Sequence, residues 1–237
     1  MSVRIVLSGG GSAEDTVEHH RVFASWVGHG GRIIYIPGGA FPPPASLAWF
    51  NRTIREFGSF QIHMWDLLSK HKPPAFISDI DGIYVGGGNT FTLLKAIRMG
   101  GYDKLLIDAI VNGVAYCGGS AGAIIAGKDI MSCSFIDAND VGLENTQGFD
   151  LANGYSICCH YETSHDPLIW QFMNEFESDV VALTERDAVA VVDRELFSIG
   201  PDDAHIITQN GSASSIGHRL TSVSSGRMGG LDGGNGS

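Results

Sequence analysis

Gly118-x-Ser120-x-Gly122 has the spacing of a nucleophile elbow, in which a serine sits on a strained strand-to-helix turn between small residues that avoid a clash. The run Gly113-Val-Ala-Tyr-Cys117 precedes it and Ala121-Gly-Ala-Ile-Ile-Ala126 follows, so Ser120 is expected where a strand ends and a helix begins. There the free N–H groups of a helix N-terminus can stabilise an oxyanion, and the chemistry implied is attack of a hydroxyl on a carbonyl. Ala115-x-Cys117-x-Gly119 offers a rival thiol with the same small flanking residues. Ser120 is preferred because a helix can wind at once after it, whereas Cys117 is followed by Gly118-Gly119, a poor first turn. A lone G-x-S-x-G is also compatible with a plain flexible turn, so partners elsewhere carry weight.

Tyr155 to Tyr161 reads as a strand delivering His160 near its carboxyl end. In an open parallel sheet reactive side chains gather outside the carboxyl ends of strands, which puts His160 on the edge expected for Ser120. His165, five residues on, is a second histidine, but a loop would place it less firmly than a strand places His160. Val180 to Leu183 leads to Glu185 in the same manner, either as a carboxylate that orients the imidazole or as a turn residue paired with Arg186. Gly86-Gly87-Gly88 ends another strand, and Asn89 or Thr90 caps the helix after it. An amide in that glycine run could be a second oxyanion donor beside Ala121; a bare glycine-rich connection is the alternative.

The elements that must position these residues alternate. Residues 3–8 read as a buried strand, Ala13 to Val27 as a helix, Arg32 to Pro37 as a strand, Ala45 to Phe57 as a helix, and Phe60 to Trp65 as a strand. This alternation implies parallel strands joined by right-handed crossovers. Gly9-Gly10-Gly11 could cradle a phosphate, but no G-x-G-x-x-G or P-loop lysine follows, and a tight turn is the favoured reading. Residues 128–150 are polar and aperiodic and are expected to border the active edge; their carboxylates lack ligand spacing, so no metal and no cofactor is expected. A helix from Pro167 to Phe176 follows. Leu196 to Ile199, His205 to Thr208 and Ser212 to Gly217 read as short hairpin strands covering one side of the sheet. His63 and His71 are expected to be ordinary surface or core residues. The chain to about residue 220 is read as one domain and residues 221–237 as a disordered Gly/Ser-rich tail.

With 237 residues, 43% hydrophobic, the chain can bury one large α/β core. A net charge of -11 argues against nucleic acid or an anionic membrane as partner. Cys117, Cys133, Cys158 and Cys159 form no C-x-x-C pair, and with a strand-like rather than signal-like N-terminus the chain reads as cytoplasmic.

The Val85-Gly-Gly-Gly-Asn-Thr-Phe-x-Leu-Leu94 run, the Gly118-Gly-Ser-Ala-Gly-Ala123 elbow and the order serine, histidine, glutamate together resemble the peptidase E (aspartyl dipeptidase) family of serine peptidases, whose wider group includes cyanophycinase. The resemblance spans about residues 1 to 218. It implies a flavodoxin-like, class I glutamine amidotransferase-like α/β fold, a mostly parallel sheet with helices on both faces. It further implies Ser120 as nucleophile, His160 as base, Glu185 as third member, and the Gly88 and Ala121 amides as oxyanion hole. Asn89, Asp140 and His165 are candidate neighbours. A short peptide is the implied substrate, and a homodimer is a candidate assembly. The segment Tyr161-Glu-Thr-Ser-His-Asp-Pro167 is shorter than the family's and carries no arginine, which leaves Asp-X specificity open. A Cys117-dependent amidotransferase-like hydrolase and a non-catalytic binding protein are the alternatives on the same fold.

Overall fold

The computed structural model describes residues 2–69, 79–201, 203–210 and 213–216. His71 and the tail from 221 to 237 lie outside them. The first five strands are β1 (Arg4–Ser8), β2 (Arg32–Ile36), β3 (Gln61–Met64), β4 (Gly82–Val85) and β5 (Ala115–Gly119). Between them run the helices α1 (Val17–Val27), α2 (Pro43–Ile54), α3 (Thr90–Met99) and α4 (Tyr102–Val111). After β5 come α5 (Ala121–Ala126), β6 (Ser156–Cys158), α6 (Asp166–Phe176) and β7 (Val180–Ala182). The last strands are β8 (Ala188–Val192), β9 (Glu195–Ile199), β10 (His205–Ile207) and β11 (Ala213–Ser215).

The larger sheet has seven strands in the order β3-β2-β4-β5-β1-β8-β9. Its first five strands are mutually parallel, and β8 and β9 extend it antiparallel. The expected mostly parallel sheet is therefore present, but the flavodoxin-like strand order is not. That order sets the first strand between the second and third; here β4 holds that place beside β2, and β1 lies between β5 and β8. A second sheet, β11-β10-β7-β6, pairs β6 parallel to β7 and β10 antiparallel to it.

Alternation along the buried strands sorts the helices to both faces. Ile83, Val85 and Tyr116 pack with Phe91 and Leu94 of α3, Leu106 of α4 and Ile125 of α5. Val6, Tyr84 and Cys117 face the other way, onto Phe23 of α1 and Phe50 of α2. Each fully buried side chain of this size contributes about 1.5–3 kcal/mol, so the two layers together hold the sheet rigid. Helix α6 covers the second sheet through Ile169, Phe172 and Met173.

Several expected boundaries shift. The helix expected from Ala13 begins at Val17, because residues 13–16 form a turn in which Thr16 Oγ1 donates to the carbonyl of Ser12. The strand expected to carry His160 ends at Cys158, and the strand expected to carry Glu185 ends at Ala182. Both residues stand on turns beyond their strands. The C-terminal strands also divide: β9 closes the edge of the large sheet, while β10 and β11 join the small one. Residues 128–150 are irregular, as expected, apart from a 3-10 turn at Ile130–Cys133. His63 is exposed on β3.

Candidate active site

Because β1, β2, β4 and β5 are parallel, the turns after their carboxyl ends meet at one edge. These are the glycine-bearing stretches 8–12, 37–40, 86–88 and 118–122. Ser120 occupies the turn from β5 to α5 at φ 50, ψ -113, a conformation that costs a non-glycine residue on the order of 1–3 kcal/mol. The turn is held from both sides: its N–H donates to the Ser8 carbonyl at 3.0 Å, and its own carbonyl accepts from Ala123 and Ile124. The two glycines of the motif have separate reasons. A Cβ on Gly118 would lie 2.4 Å from the carbonyl oxygen of Gly122, and one on Gly122 would lie 2.2 Å from that of Val85.

Ser120 Oγ lies 2.8 Å from Nε2 of His160, and Nδ1 of that ring lies 3.1 Å from Oε1 of Glu185. A carboxylate only accepts, so Nδ1 carries the proton and Nε2 is left to accept from the serine hydroxyl. The three residues, 65 positions apart from first to last, thus form one hydrogen-bonded chain. His160 stands at φ 53, beyond the strand, so a turn rather than strand pairing aims its ring. That turn is tied in by the His160 N–H to the Gly9 carbonyl and the Tyr161 N–H to the Leu183 carbonyl.

Gly9-Gly10-Gly11, read from sequence as a tight turn, packs directly against these two partners. A Cβ on Gly9 would meet the Thr184 carbonyl oxygen at 1.9 Å, one on Gly10 the His160 ring at 2.4 Å, and one on Gly11 the Glu185 carbonyl oxygen at 2.5 Å. The close approach of this turn to the imidazole is the use of its glycines.

Two buried histidines that sequence reasoning passed over brace the same region. Nε2 of His19 donates to the Arg186 carbonyl at 3.3 Å, which leaves Nδ1 to accept from Ser8 Oγ at 2.9 Å. The Gly10 N–H is 3.5 Å from that same Ser8 oxygen. His19 therefore links the glycine turn at His160 to the turn that carries Glu185. Nδ1 of His20 donates to the Thr16 carbonyl, and its Nε2 accepts from the Tyr84 hydroxyl at 3.1 Å. Burial, with the mutual repulsion of the pair adding at His19, lowers both imidazoles to about 4, so each is neutral near pH 7. Their signal in the sequence was two adjacent histidines on the inward stripe of a helix.

A cavity of about 550 Å³ opens beside Ser120 and His160. Tyr35, Phe41, Trp49 and Ile136 form apolar parts of its wall, and Gly87, Gly88 and Asp137 also line it. Burial pushes the Tyr35 hydroxyl up to about 12, so it stays protonated. A Cβ on Gly87 would lie 3.3 Å from that of Ser120. The Gly87 carbonyl accepts from the Ala40 N–H, and across that trans peptide the Gly88 N–H points the opposite way. No acceptor for the Gly88 or Ala121 N–H appears among the hydrogen bonds of the described residues.

The remaining candidates separate. Asn89 caps α3, accepting from the Thr92 N–H at 2.9 Å, and donates to the Ala138 carbonyl. Asp140 is exposed and does not line the cavity; the carboxylate that does is Asp137, whose Oδ2 accepts from the N–H and hydroxyl of Thr90. His165 closes a capping box with Glu162 and packs on Phe135, away from Ser120. Cys117 is buried against the α1 and α2 face, outside the cavity wall, and burial pushes its thiol well up.

An α/β sheet that presents a serine on a strand-to-helix turn, hydrogen-bonded through a histidine to a carboxylate, has the build of a serine hydrolase. Residues 5–199 match the model of peptidase family S51, and the chain belongs to that family. Among its relatives are an uncharacterized peptidase of Listeria monocytogenes serovar 1/2a, 31% identical over 123 residues, and a peptidase E of Escherichia coli O6:K15:H31, 34% identical over 106 residues. These matches cover 50% and 45% of this chain and 60% and 44% of those relatives. The chain thus spans about half the length of the curated relatives it matches. The fold is shared with a Listeria monocytogenes EGD-e protein assigned provisionally to peptidase E, at a TM-score of 0.67 and 22% identity over 85% of this chain and 100% of that one. A peptidase from an acI-B1 actinobacterium superposes at 0.58 with 15% identity, covering 91% and 95%. No helix among the described residues is long and apolar enough to cross a membrane.

Proposed function

We propose that this chain is a serine peptidase that cleaves short peptides through a Ser120-His160-Glu185 triad, with the Gly88 and Ala121 amides as oxyanion hole. The observation that carries the reading is the unbroken chain of contacts, 2.8 Å from Ser120 to His160 and 3.1 Å from His160 to Glu185, beside an open cavity. In this mechanism Nε2 of His160 takes the hydroxyl proton as Ser120 Oγ bonds to the scissile carbonyl carbon. The carbonyl oxygen becomes the oxyanion between the two amides, each donor of this kind being worth about 3–4 kcal/mol of barrier. Collapse expels the amine, which leaves with the proton from His160, and water then hydrolyses the acyl-serine by the same steps in reverse. Glu185 holds the ring in the tautomer that can accept from serine. The four unpaired cysteines support a cytoplasmic setting.

The test is a dipeptide panel assayed with wild type and Ser120→Ala together. Turnover should vanish in the variant while its melting temperature stays within a few degrees of wild type; cleavage retained by purified Ser120→Ala would reject the triad.

A further inference from the structure

The cavity beside Ser120 holds no lysine or arginine among its described lining residues. The cations of the neighbouring helix are already engaged: Lys95 donates to the Val141 carbonyl, and Arg98 to those of Asn145 and Gln147. Arg186 lines a different pocket, on the side of Asp15 and Glu18. The carboxylate that does face the cavity, Asp137, is negative, and the chain as a whole carries -11. Against this, the apolar wall is large. Phe41 and Ile136 are 65% and 43% exposed, while Tyr35 is buried and stacked on Phe50 at 4.6 Å and Trp49 is half-buried and edge-on to His20 at 5.8 Å.

From this we infer that the residue on the acyl side of the cleaved bond is neutral and bulky, aromatic or branched aliphatic, and that peptides beginning with aspartate are poor substrates. The inference rests on the peptidase reading above and adds the side chain the site selects. A substrate carboxylate entering this cavity would lose water without gaining a cationic partner among the described lining residues and would approach Asp137, so it is disfavoured on both counts. The net negative field of the protein also slows its encounter. An aromatic ring, in contrast, removes apolar wall from water and finds aromatic faces to pack on. Trp49 is the specificity-determining residue in this account, because it is the largest side chain of the wall and Phe41 and Ile136 are more exposed.

The experiment compares Phe-Leu, Ala-Leu and Asp-Leu. Wild type should cleave Phe-Leu with a kcat/KM at least about tenfold above Asp-Leu, and Trp49→Ala should lower the Phe-Leu to Ala-Leu ratio by about tenfold, the scale on which apolar pockets discriminate. Trp49→Phe should restore most of that ratio, which a general loss of folding would not. Binding of the same peptides to Ser120→Ala by calorimetry separates the two readings. If wild type cleaves none of the peptides yet Ser120→Ala binds Phe-Leu in preference to Asp-Leu, the peptidase reading fails and the pocket assignment stands. Asp-Leu cleaved or bound as well as Phe-Leu overturns the assignment, as does absence of Phe-Leu binding at millimolar concentration.

Discussion

A Cβ built on Gly10 would lie 2.4 Å from Cε1 of His160, so the glycine turn after the first strand forms one wall of the imidazole's seat. Gly10 also holds φ +118, where an alanine is strained by about 1–3 kcal/mol. Gly10→Ala should therefore shift the ring away from Ser120 and lower kcat by about 10²-fold, the scale of a 1 Å misplacement, while the fold survives. Steady-state kinetics beside a melting curve check this. A kcat equal to wild type in a folded variant would show that the turn does not seat the ring.

Glu185 Oε1 lies 3.1 Å from His160 Nδ1, yet the glutamate side chain is 59% exposed, so solvent screens the pair. Glu185→Gln should lower kcat by about 10 to 10²-fold, less than the roughly 10⁴-fold seen where such a carboxylate is buried. KM should move less than about twofold. A kcat within twofold of wild type would remove Glu185 from the mechanism.

His19 and His20 couple stability to pH. Both are held neutral in the folded state with values lowered from 6.5 to about 4, so the unfolded chain binds protons first as pH falls. Their contribution is complete above about pH 6.5 and is lost progressively toward pH 4, on the order of 3 kcal/mol for each. Urea midpoints should fall between pH 7 and pH 5, and the double variant His19→Gln, His20→Gln should flatten that dependence. An unchanged slope in the double variant would assign the acid sensitivity elsewhere.

The four cysteines are all buried and unpaired, and burial pushes the thiols of Cys133 and Cys158 to about 12 and raises those of Cys117 and Cys159 as well. Thiolate is the reactive form, so a thiol reagent should label the native protein slowly and all four positions only after unfolding. A fluorophosphonate should label wild type but not Ser120→Ala. Rapid loss of activity on modification of Cys117 would revive the thiol reading.

The elbow was legible from residues 113–127 alone, because strand, strained turn and helix are contiguous; of its two glycines, Gly118 answers to a contact within the turn, whereas Gly122 answers to the Val85 carbonyl on the neighbouring strand. The alternation of strands and helices was legible for the same reason: each element carries its own periodicity. His160 and Glu185 could be named, but the reason for their placement could not. Both were assigned to strand ends, whereas β6 and β7 stop at Cys158 and Ala182 and the two side chains stand on turns. Those turns are shaped by Gly9 to Gly11, some 150 residues away in the chain, and by His19, which a helical pattern disguises as an ordinary inward position. Asp140 was named where Asp137 faces the cavity, because an aperiodic loop gives no signal of which carboxylate turns inward.

By itself, then, the sequence determined which residue types could react and where a strand gives way to a helix at Ser120, since both follow from residue types that are contiguous in the chain. The tertiary structure decided the order of the strands, the 2.8 Å meeting of serine and imidazole and a cavity wall that joins aromatic side chains to the Asp137 carboxylate. Those depend on packing between segments far apart in the chain, where register and close approach, rather than periodicity, set the distances.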